Sequence, residues 1–151
     1  MSLRAIKLPR GLQSLGKHAF YRCEAAASLE LPDGLATVEE ETFQFCRSLT
    51  SVALPDGLQT VGDRAFAGCE RLSSVAFPDA LRKVGKEAFV DCVSLTTVEI
   101  PDDLAKIGKE AFGRVEQDGE RRDVPNFTLR GAPGSAAEKY ARKNRFRFEP
   151  R

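Results

Sequence analysis

The segment "CRSLTSVALPDGLQTVGDRAFAG", Cys46–Gly68, is followed at once by "CERLSSVAFPDALRKVGKEAFVD", Cys69–Asp91, and the two are identical at 12 of 23 positions. The same 23-residue step runs along most of the chain in separate columns of proline, phenylalanine and cysteine. The columns are Pro9, Pro32, Pro55, Pro78 and Pro101; Phe20, Phe43, Phe66, Phe89 and Phe112; and Cys23, Cys46, Cys69 and Cys92. A fixed period of this length indicates a solenoid, in which each unit buries its apolar face against its neighbours.

Within one unit the apolar residues change their spacing, which predicts one strand and one turn in each coil. Val52 and Leu54 have the spacing of a short strand, and Pro55 ends it because proline has no N–H for the next ladder bond. The segment 62–69, "GDRAFAGC", predicts a short helical turn that points Phe66 inward. Stacked strands about 4.8 Å apart would then form a parallel sheet, with equivalent side chains lying one above another.

The repeating unit resembles a known family. Its pattern, C-x-x-L-x-x-V-x-L-P-x-x-L-x-x-V-G-x-x-A-F-x-x, is similar to the BspA-like leucine-rich repeat, and the segment Phe127–Pro150 resembles that family's C-terminal capping unit. The resemblance implies an α/β solenoid: a right-handed superhelix with a parallel β-sheet on one face and short helical turns on the other. Members are commonly secreted or cell-surface proteins concerned with adhesion and protein binding, and no catalytic activity is associated with the repeat.

The organisation we predict is a single domain, residues 1–151, with five repeats in 1–114, an insertion loop in 115–126 and a C-terminal cap in 127–151. The insertion contains the charged run "EQDGERRD", Glu116–Asp123. After it, the expected strand reappears with Phe127 and Leu129, displaced by six residues from the repeat register. Arg130 then stands where the repeat has proline.

The cap has the pattern of a helix followed by a strand. Ser135 and Glu138 have the spacing of a capping box, in which each residue bonds the other's backbone N–H. Ala137 and Tyr140 lie on the apolar side of the predicted helix. A polar-backed lid of this kind is what the last unit of a solenoid needs to cover its apolar end.

The four cysteines are 23 residues apart, whereas zinc sites favour ligands in close pairs. Stacking would bring successive Cα atoms within disulfide range, but parallel side chains point the same way rather than toward each other. We therefore expect free thiols that lie in the core beside the phenylalanine column. Glu39 replaces the glycine found at the equivalent position of the other repeats, so the backbone there does not require a positive φ.

A second repeating column, Asp33, Asp56, Asp79 and Asp102, follows the prolines directly. Turn chemistry explains it, because aspartate bonds nearby backbone groups, and a calcium or basic-partner site is the alternative. His18 is the only histidine, and its column continues as Glu41, Arg64, Glu87 and Glu110, which we interpret as an exposed position. A nucleophile would lack a suitable base, and no phosphate-binding loop or metalloprotease motif is present, so we expect no enzyme, cofactor or metal.

Two surfaces are candidates for contact with a protein partner. The first is the exposed face of the predicted sheet, with Ser28, Glu30, Ser51, Ser74, Thr97 and Glu99, and we place Thr128 in the column of Glu30 and Glu99. This face is small and polar and lacks the Trp, Tyr and Arg that dominate binding hot spots. The second is the charged insertion, with Glu116, Asp118, Glu120, Arg121 and Arg122, since irregular segments on rigid scaffolds often carry specificity.

Composition restricts the partners further. The net charge is only +1, although residues 124–151 hold seven Lys or Arg against two acids. We expect no nucleic-acid binding, because the basic cap has no aromatic platform on which bases could stack. No apolar run approaches the roughly 18 residues of a membrane span. The sequence thus favours a monomeric, non-catalytic protein-interaction or adhesion module of a secreted or cell-surface protein, and a purely structural or engineered scaffold is the alternative.

Overall fold

The computed structural model describes residues 4–151, so the first three residues of the predicted first repeat lie outside it. The chain forms a β-solenoid of about six turns that is closed at its C-terminal end by one short helix. The right-handed sense of the superhelix stays a prediction from the resemblance. The elements in chain order are β1 (Arg4–Lys7), β2 (Ala26–Glu30), β3 (Thr37–Val38), β4 (Ser51–Ala53), β5 (Thr60–Val61), β6 (Ser74–Ala76), β7 (Lys83–Val84), β8 (Thr97–Glu99), β9 (Lys106–Ile107), β10 (Arg114–Gln117), β11 (Glu120–Asp123), β12 (Thr128–Gly131), α1 (Ala136–Asn144) and β13 (Arg147–Pro150).

Two parallel sheets run along the solenoid. One contains β1, β2, β4 and β6, and its line is continued by β8, β12 and β13. The other contains β3, β5, β7 and β9. The pairing confirms the predicted period, because Ser28 lies beside Ser51 and Ser51 beside Ser74. Val52 beside Val75 places equivalent side chains one above another on the inner face.

The five phenylalanines of the column stack along the core. Successive ring centroids are 5.1 to 5.3 Å apart, and the ring planes differ by only 7° to 17°. Phe43, Phe66, Phe89 and Phe112 are buried, whereas Phe20 in the first coil is half-buried. Each inner ring thus has an aromatic neighbour on both sides, and the distance between ring centroids is close to the spacing of about 4.8 Å between paired strands.

We predict that Phe66→Ala lowers the free energy of unfolding by about 3–5 kcal/mol, because it opens a cavity between two rings in a buried stack. Phe20→Ala is the matched control and should cost less, because Phe20 is partly exposed. Urea unfolding followed by circular dichroism measures both. A loss at Phe66 no larger than that at Phe20 would contradict the stacked core.

The segment that follows the second strand of each coil, such as residues 62–69 after β5, forms turns and not a helical segment. In the third coil the N–H of Ala65 bonds within the coil to Gly62, but the N–H of Phe66 donates to the carbonyl of Ala88 in the next coil, at 2.8 Å. Arg64 has φ 54° and Gly68 has φ 74°, which is incompatible with a continuous helix. The predicted helical turn is therefore not confirmed, because about half of the backbone donors of this segment bond to the neighbouring coil.

From the third coil onward, the glycine of the repeat allows a close approach between successive coils, whereas Gly16 in the first coil meets no neighbour. A Cβ on Gly108 would lie 2.4 Å from the backbone nitrogen of Lys86, and one on Gly62 would lie 2.8 Å from the backbone of Glu39. Neither glycine has a positive φ, which agrees with the expectation drawn from Glu39 in this column.

The strand register after the insertion differs from the prediction. Thr97 pairs with Thr128 and Val98 with Leu129, so equivalent residues are 31 apart instead of 23, a displacement of eight residues. The predicted displacement of six was wrong by two residues. Because side chains in a strand alternate with a period of two, an error of two still places Leu129 on the inner face. It does misplace Thr128, which lies in the column of Thr97, while Arg130 lies beside Glu99.

The cap replaces the coil that would otherwise follow Phe112. The buried Tyr140 hydroxyl accepts the N–H of Phe112 at 3.0 Å and donates to its carbonyl at 2.8 Å. In earlier coils these two groups bond to the next coil: the N–H of Phe66 to Ala88 and the carbonyl of Phe66 to the Cys92 thiol. The Tyr140 hydroxyl therefore bonds both backbone groups of Phe112 that a following coil would otherwise bond.

The start of α1 corrects another expectation. The Ser135 side chain makes no capping bond, and its buried Oγ has no partner among the described residues. The backbone N–H of Ser135 bonds to Ala132 instead, and Glu138 accepts the N–H of Gly134 at 2.8 Å. The predicted reciprocal capping box is thus absent, because the turn before the helix already uses the Ser135 donor.

We predict that Tyr140→Phe lowers the free energy of unfolding by about 1–3 kcal/mol, because it leaves buried polar groups of Phe112 without partners. Tyr21→Phe is the control, since Tyr21 is 40% exposed. Chemical denaturation of the two variants compares a buried hydroxyl with an exposed one. Equal stability of the two would mean that the Tyr140 hydroxyl does not close the ladder.

Candidate functional site

The exposed face of the longer sheet is as smooth as its sequence suggests. Ser51, Ser74 and Thr97 are exposed and Ser28 is half-buried. Glu30 and Glu99 are exposed but engaged, with Glu30 3.9 Å from Lys7 and Glu99 2.9 Å from Arg151. Apart from a recess of about 410 Å³ beside Lys7 and Glu30, this face offers small hydroxyl groups and paired charges.

The insertion forms an antiparallel β-hairpin, so the predicted loop is wrong in form. Strands β10 and β11 pair with Glu116 opposite Arg121 and Gln117 opposite Glu120. The two turn residues, Asp118 and Gly119, have φ 52° and 78°. Positive values at both positions are typical of a two-residue type I′ turn, for which Asp-Gly is a favoured sequence.

Arg114 anchors the base of the hairpin to the cap. Its guanidinium pairs with Asp123 across the hairpin and donates to Asn144 Oδ1 of α1 at 3.1 Å. The same guanidinium lies 4.6 Å from the centre of the Phe146 ring. These contacts hold β10 and β11 against the end of the solenoid, while residues 116–120 at the tip are exposed.

Arg121 anchors the other strand of the hairpin to the turns of the solenoid. Its guanidinium bonds to Glu87 and lies 2.8 Å from Glu110 and 3.7 Å from Glu116. Arg64 donates to the second oxygen of Glu87 at 2.8 Å. Glu87 and Glu110 are one coil apart in the same column, so Arg121 offsets the repulsion between two stacked carboxylates.

The sequence suggested that every position in the column of His18 is exposed. This arrangement shows that one of them, Glu87, is not. The Glu87 side chain is only 8% exposed. Burial alone would raise the pKa of Glu87, but the hydrogen bond from Arg121 and the charges of Arg64 and Arg121 outweigh it and lower that pKa. Glu87 therefore stays ionised, and Arg121 serves to fix the hairpin instead of being free for a partner.

We predict that Arg121→Ala lowers the free energy of unfolding by about 1.5–3 kcal/mol, because Glu87 loses a charged hydrogen-bond donor in a nearly buried site. The neighbouring Arg122→Ala is the control, since the one ion pair of Arg122 within the described residues is with the exposed Glu120 at 3.6 Å. It should change stability by less than about 0.5 kcal/mol.

The free energy of unfolding that Arg121→Ala removes should depend on pH. A carboxyl whose pKa is lowered on folding contributes stability above its unfolded pKa and loses it as the pH falls through its folded pKa. The cost of Arg121→Ala should therefore shrink in acid, as Glu87 becomes protonated. A cost that does not change between neutral and acidic pH would rule out the ionised Glu87 as the partner.

All four cysteines are free, and three of them are buried. The thiols of Cys46, Cys69 and Cys92 lie 3.1 to 3.2 Å from the phenylalanine carbonyl of the preceding coil, to which each donates. Burial raises the pKa of Cys46 to about 12, and the Cys92 thiol together with burial raises that of Cys69. The Cys46 and Cys69 thiols therefore stay protonated at neutral pH and act as core residues.

The aspartate column does not form a metal site in the part of the chain that the structure describes. Asp33, Asp56 and Asp79 are exposed, and Asp102 pairs with Arg151. Within residues 4–151 no group of three or more His, Cys, Asp or Glu side chains is placed to hold a metal ion.

The structure also assembles a cluster that sequence reasoning missed. Arg22 lies 5.4 and 5.5 Å from the ring centres of Tyr21 and Phe45, and Arg47 lies 5.3 Å from that of Phe45. Aromatic and arginine side chains of this kind dominate binding hot spots. The signal was present in the sequence, because Phe45 interrupts a column that holds Gly68 and Asp91 in later coils.

With this geometry the class of the protein can be stated: a β-solenoid of 23-residue coils with a hairpin inserted before its cap. The family model for the BspA type leucine-rich repeat region matches residues 1–117 in six copies. The chain therefore belongs to the BspA-type leucine-rich repeat family. No curated protein matches the chain.

Solved structures support the same fold. A leucine-rich repeat protein of T. pallidum is 30% identical, with a TM-score of 0.72 over 83% of this chain and 57% of its own. One from Bacteroides ovatus is 26% identical, with a TM-score of 0.71 over 98% of this chain and 42% of its own. The pneumococcal vaccine antigen PcpA, 18% identical with a TM-score of 0.73, covers 99% of this chain and 42% of its own, and shows the fold alone.

This chain thus spans about half the length of the proteins it resembles. Among the described residues, no helix has the length and apolar character needed to cross a membrane.

Proposed function

We propose that this chain is a non-catalytic protein-interaction module that contributes to adhesion, and that the tip of the β10–β11 hairpin carries its specificity. The observation that carries the proposal is the contrast within the hairpin. Its base is fixed by Arg114 and Arg121, whereas its tip, residues 116–120, exposes charged and polar side chains.

A fixed base favours binding for a physical reason. A flexible loop must be ordered when it binds, which opposes association by about 0.5–1.5 kcal/mol for each immobilised side chain. A hairpin that is already held in place avoids part of that cost. Asp118, Glu120 and Arg122 then present both signs of charge on a rigid turn, which suits recognition of a complementary polar surface.

The smooth sheet face is the second part of the proposed contact. Ser28, Ser51, Ser74 and Thr97, with Glu30 and Glu99, would make an extended and weak contact beside the specific one at the hairpin. Family membership supports the further proposal of a secreted or cell-surface protein. That it acts as a monomer without a cofactor is a proposal from the sequence.

A structural spacer without a ligand is the second candidate. The observation that favours it is the sheet face itself, where Ala53 and Ala76 alternate with serines and few side chains project. A spacer needs stability and solubility only, and it has no use for a hairpin with an exposed charged tip.

The test is a pull-down from extracts of cell-surface and extracellular-matrix proteins, with three forms of the protein as bait. The first is the wild type, and the second carries Glu120→Ser at the tip and Arg122→Ser beside it, and keeps both anchoring arginines, Arg114 and Arg121. The third lacks Glu116–Asp123, which restores the 23-residue spacing between Thr97 and Thr128. We expect a protein enriched by the wild type and lost from both variants.

The melting temperature of the second form should match that of the wild type. A loss of binding then reflects lost contact with the partner and not unfolding. Enrichment that is equal in all three forms would remove the hairpin from the proposal. No enrichment by the wild type would favour the spacer.

A further inference from the structure

A groove between β9 and α1 is lined by all six lysines of the C-terminal half of the chain. Its volume is about 600 Å³, within the range of ligand clefts, and Val84, Ile107 and Tyr140 contribute to its lining. Six lysines surround it: Lys83, Lys86, Lys106, Lys109, Lys139 and Lys143.

The charge of this groove is not balanced by the protein. Within residues 4–151, five of the six lysines form no ion pair, and Lys86 lies only at 3.9 Å from Glu87. Glu110 is the one acid in the lining, and Arg121 already engages it. Lys83 and Lys106 are direct neighbours on paired strands, where like charges destabilise a sheet. An anionic occupant would relieve this repulsion.

The backbone of β9 adds an independent observation. In the earlier coils the carbonyls of Arg82 and Val84 accept N–H groups of the following coil, from Ala105 and Gly108. The equivalent carbonyls in the last coil belong to Ala105 and Ile107, and no hydrogen bond within residues 4–151 reaches them. With the 31-residue spacing that follows the insertion, the equivalents of β9 are residues 137–138, and these lie in α1 instead of a strand. A helix cannot pair with the strand edge, so β9 keeps two free acceptors.

We propose that this groove binds an extended acidic peptide of a partner protein, which lies along β9 as a fifth strand of the shorter sheet. Its N–H groups donate to the carbonyls of Ala105 and Ile107, and its outward-facing Asp or Glu side chains meet Lys83, Lys106 and Lys139. Inward-facing positions carry small or apolar residues, because Val84 and Ile107 line that side. The groove adds a second surface to the proposed function and does not involve the hairpin tip.

The geometry favours a peptide over other polyanions. Single-stranded nucleic acid would need exposed rings for its bases, and the one aromatic side chain of the groove, Tyr140, is buried and bonded to Phe112. Acceptors two residues apart match the repeat of N–H groups along one edge of an extended peptide, a mode known as strand addition.

The test is fluorescence anisotropy with a labelled ten-residue peptide of alternating Glu and Val, titrated with the full chain. Three variants share one charge change: Lys83→Glu and Lys106→Glu in the groove, and Arg147→Glu on β13 outside it. We expect each groove variant to weaken binding at least about tenfold and Arg147→Glu to leave it within about twofold. A second probe carries N-methyl groups on the amides of one edge, and it should bind at least about tenfold more weakly if the edge bonds form.

Four outcomes would overturn the inference. They are no binding of the acidic peptide, an equal loss in Arg147→Glu and the groove variants, indifference to N-methylation, and equal binding of heparin or a single-stranded oligonucleotide. The last two would point to a general polyanion surface. None of these outcomes changes the hairpin test, which uses different variants and different ligands.

Discussion

The structure depends on one constraint: half of the backbone donors in each turn find their acceptors only in the next coil. The N–H of Phe66 reaches Ala88, and that of Phe89 reaches Ala111, both at 2.8 Å. These bonds form only if successive coils have the same length and lie in register. The same register stacks the phenylalanines about one coil spacing apart and directs each buried thiol to a carbonyl of the preceding coil. Sequence repetition is therefore the condition for satisfying the backbone.

The ends of such an array have to be treated separately, because a last coil has donors and acceptors but no following coil. Tyr140 resolves this on the inner side, where one hydroxyl bonds both backbone groups of Phe112. On the side of the shorter sheet no strand of the described chain pairs with the outer edge of β9, and the carbonyls of Ala105 and Ile107 face a lysine-lined groove between β9 and α1 without a hydrogen bond within residues 4–151. The hairpin lies between these solutions, and Arg121 joins it to two stacked carboxylates. The features that distinguish this chain from a plain repeat are thus concentrated where the repeat stops.

The period, the parallel sheets and the membership of the core follow from the sequence, because three residue columns with one spacing leave little freedom in the arrangement. The turn geometry does not follow from it. Arg64 and Glu87 have positive φ without being glycine, and only the bonds between coils compensate that conformation. The register after the insertion was misjudged by two residues, since the inward and outward pattern is unchanged by such a shift. The Asp118-Gly119 pair is typical of a type I′ hairpin turn, although the charge of the segment favoured a loop. The lysine groove lay beyond sequence reasoning, because β7, β9 and α1 contribute to it from distant segments.

The most direct measurement of the account is a nuclear Overhauser experiment on protein that carries protonated phenylalanine in a deuterated background. Ring protons of Phe66 should show contacts with those of Phe43 and Phe89, whose centroids lie 5.2 and 5.1 Å away, and none with Phe20 or Phe112. A chain in which rings 23 residues apart show no contact, or in which Phe66 contacts rings two coils away, would contradict the stacked 23-residue coil.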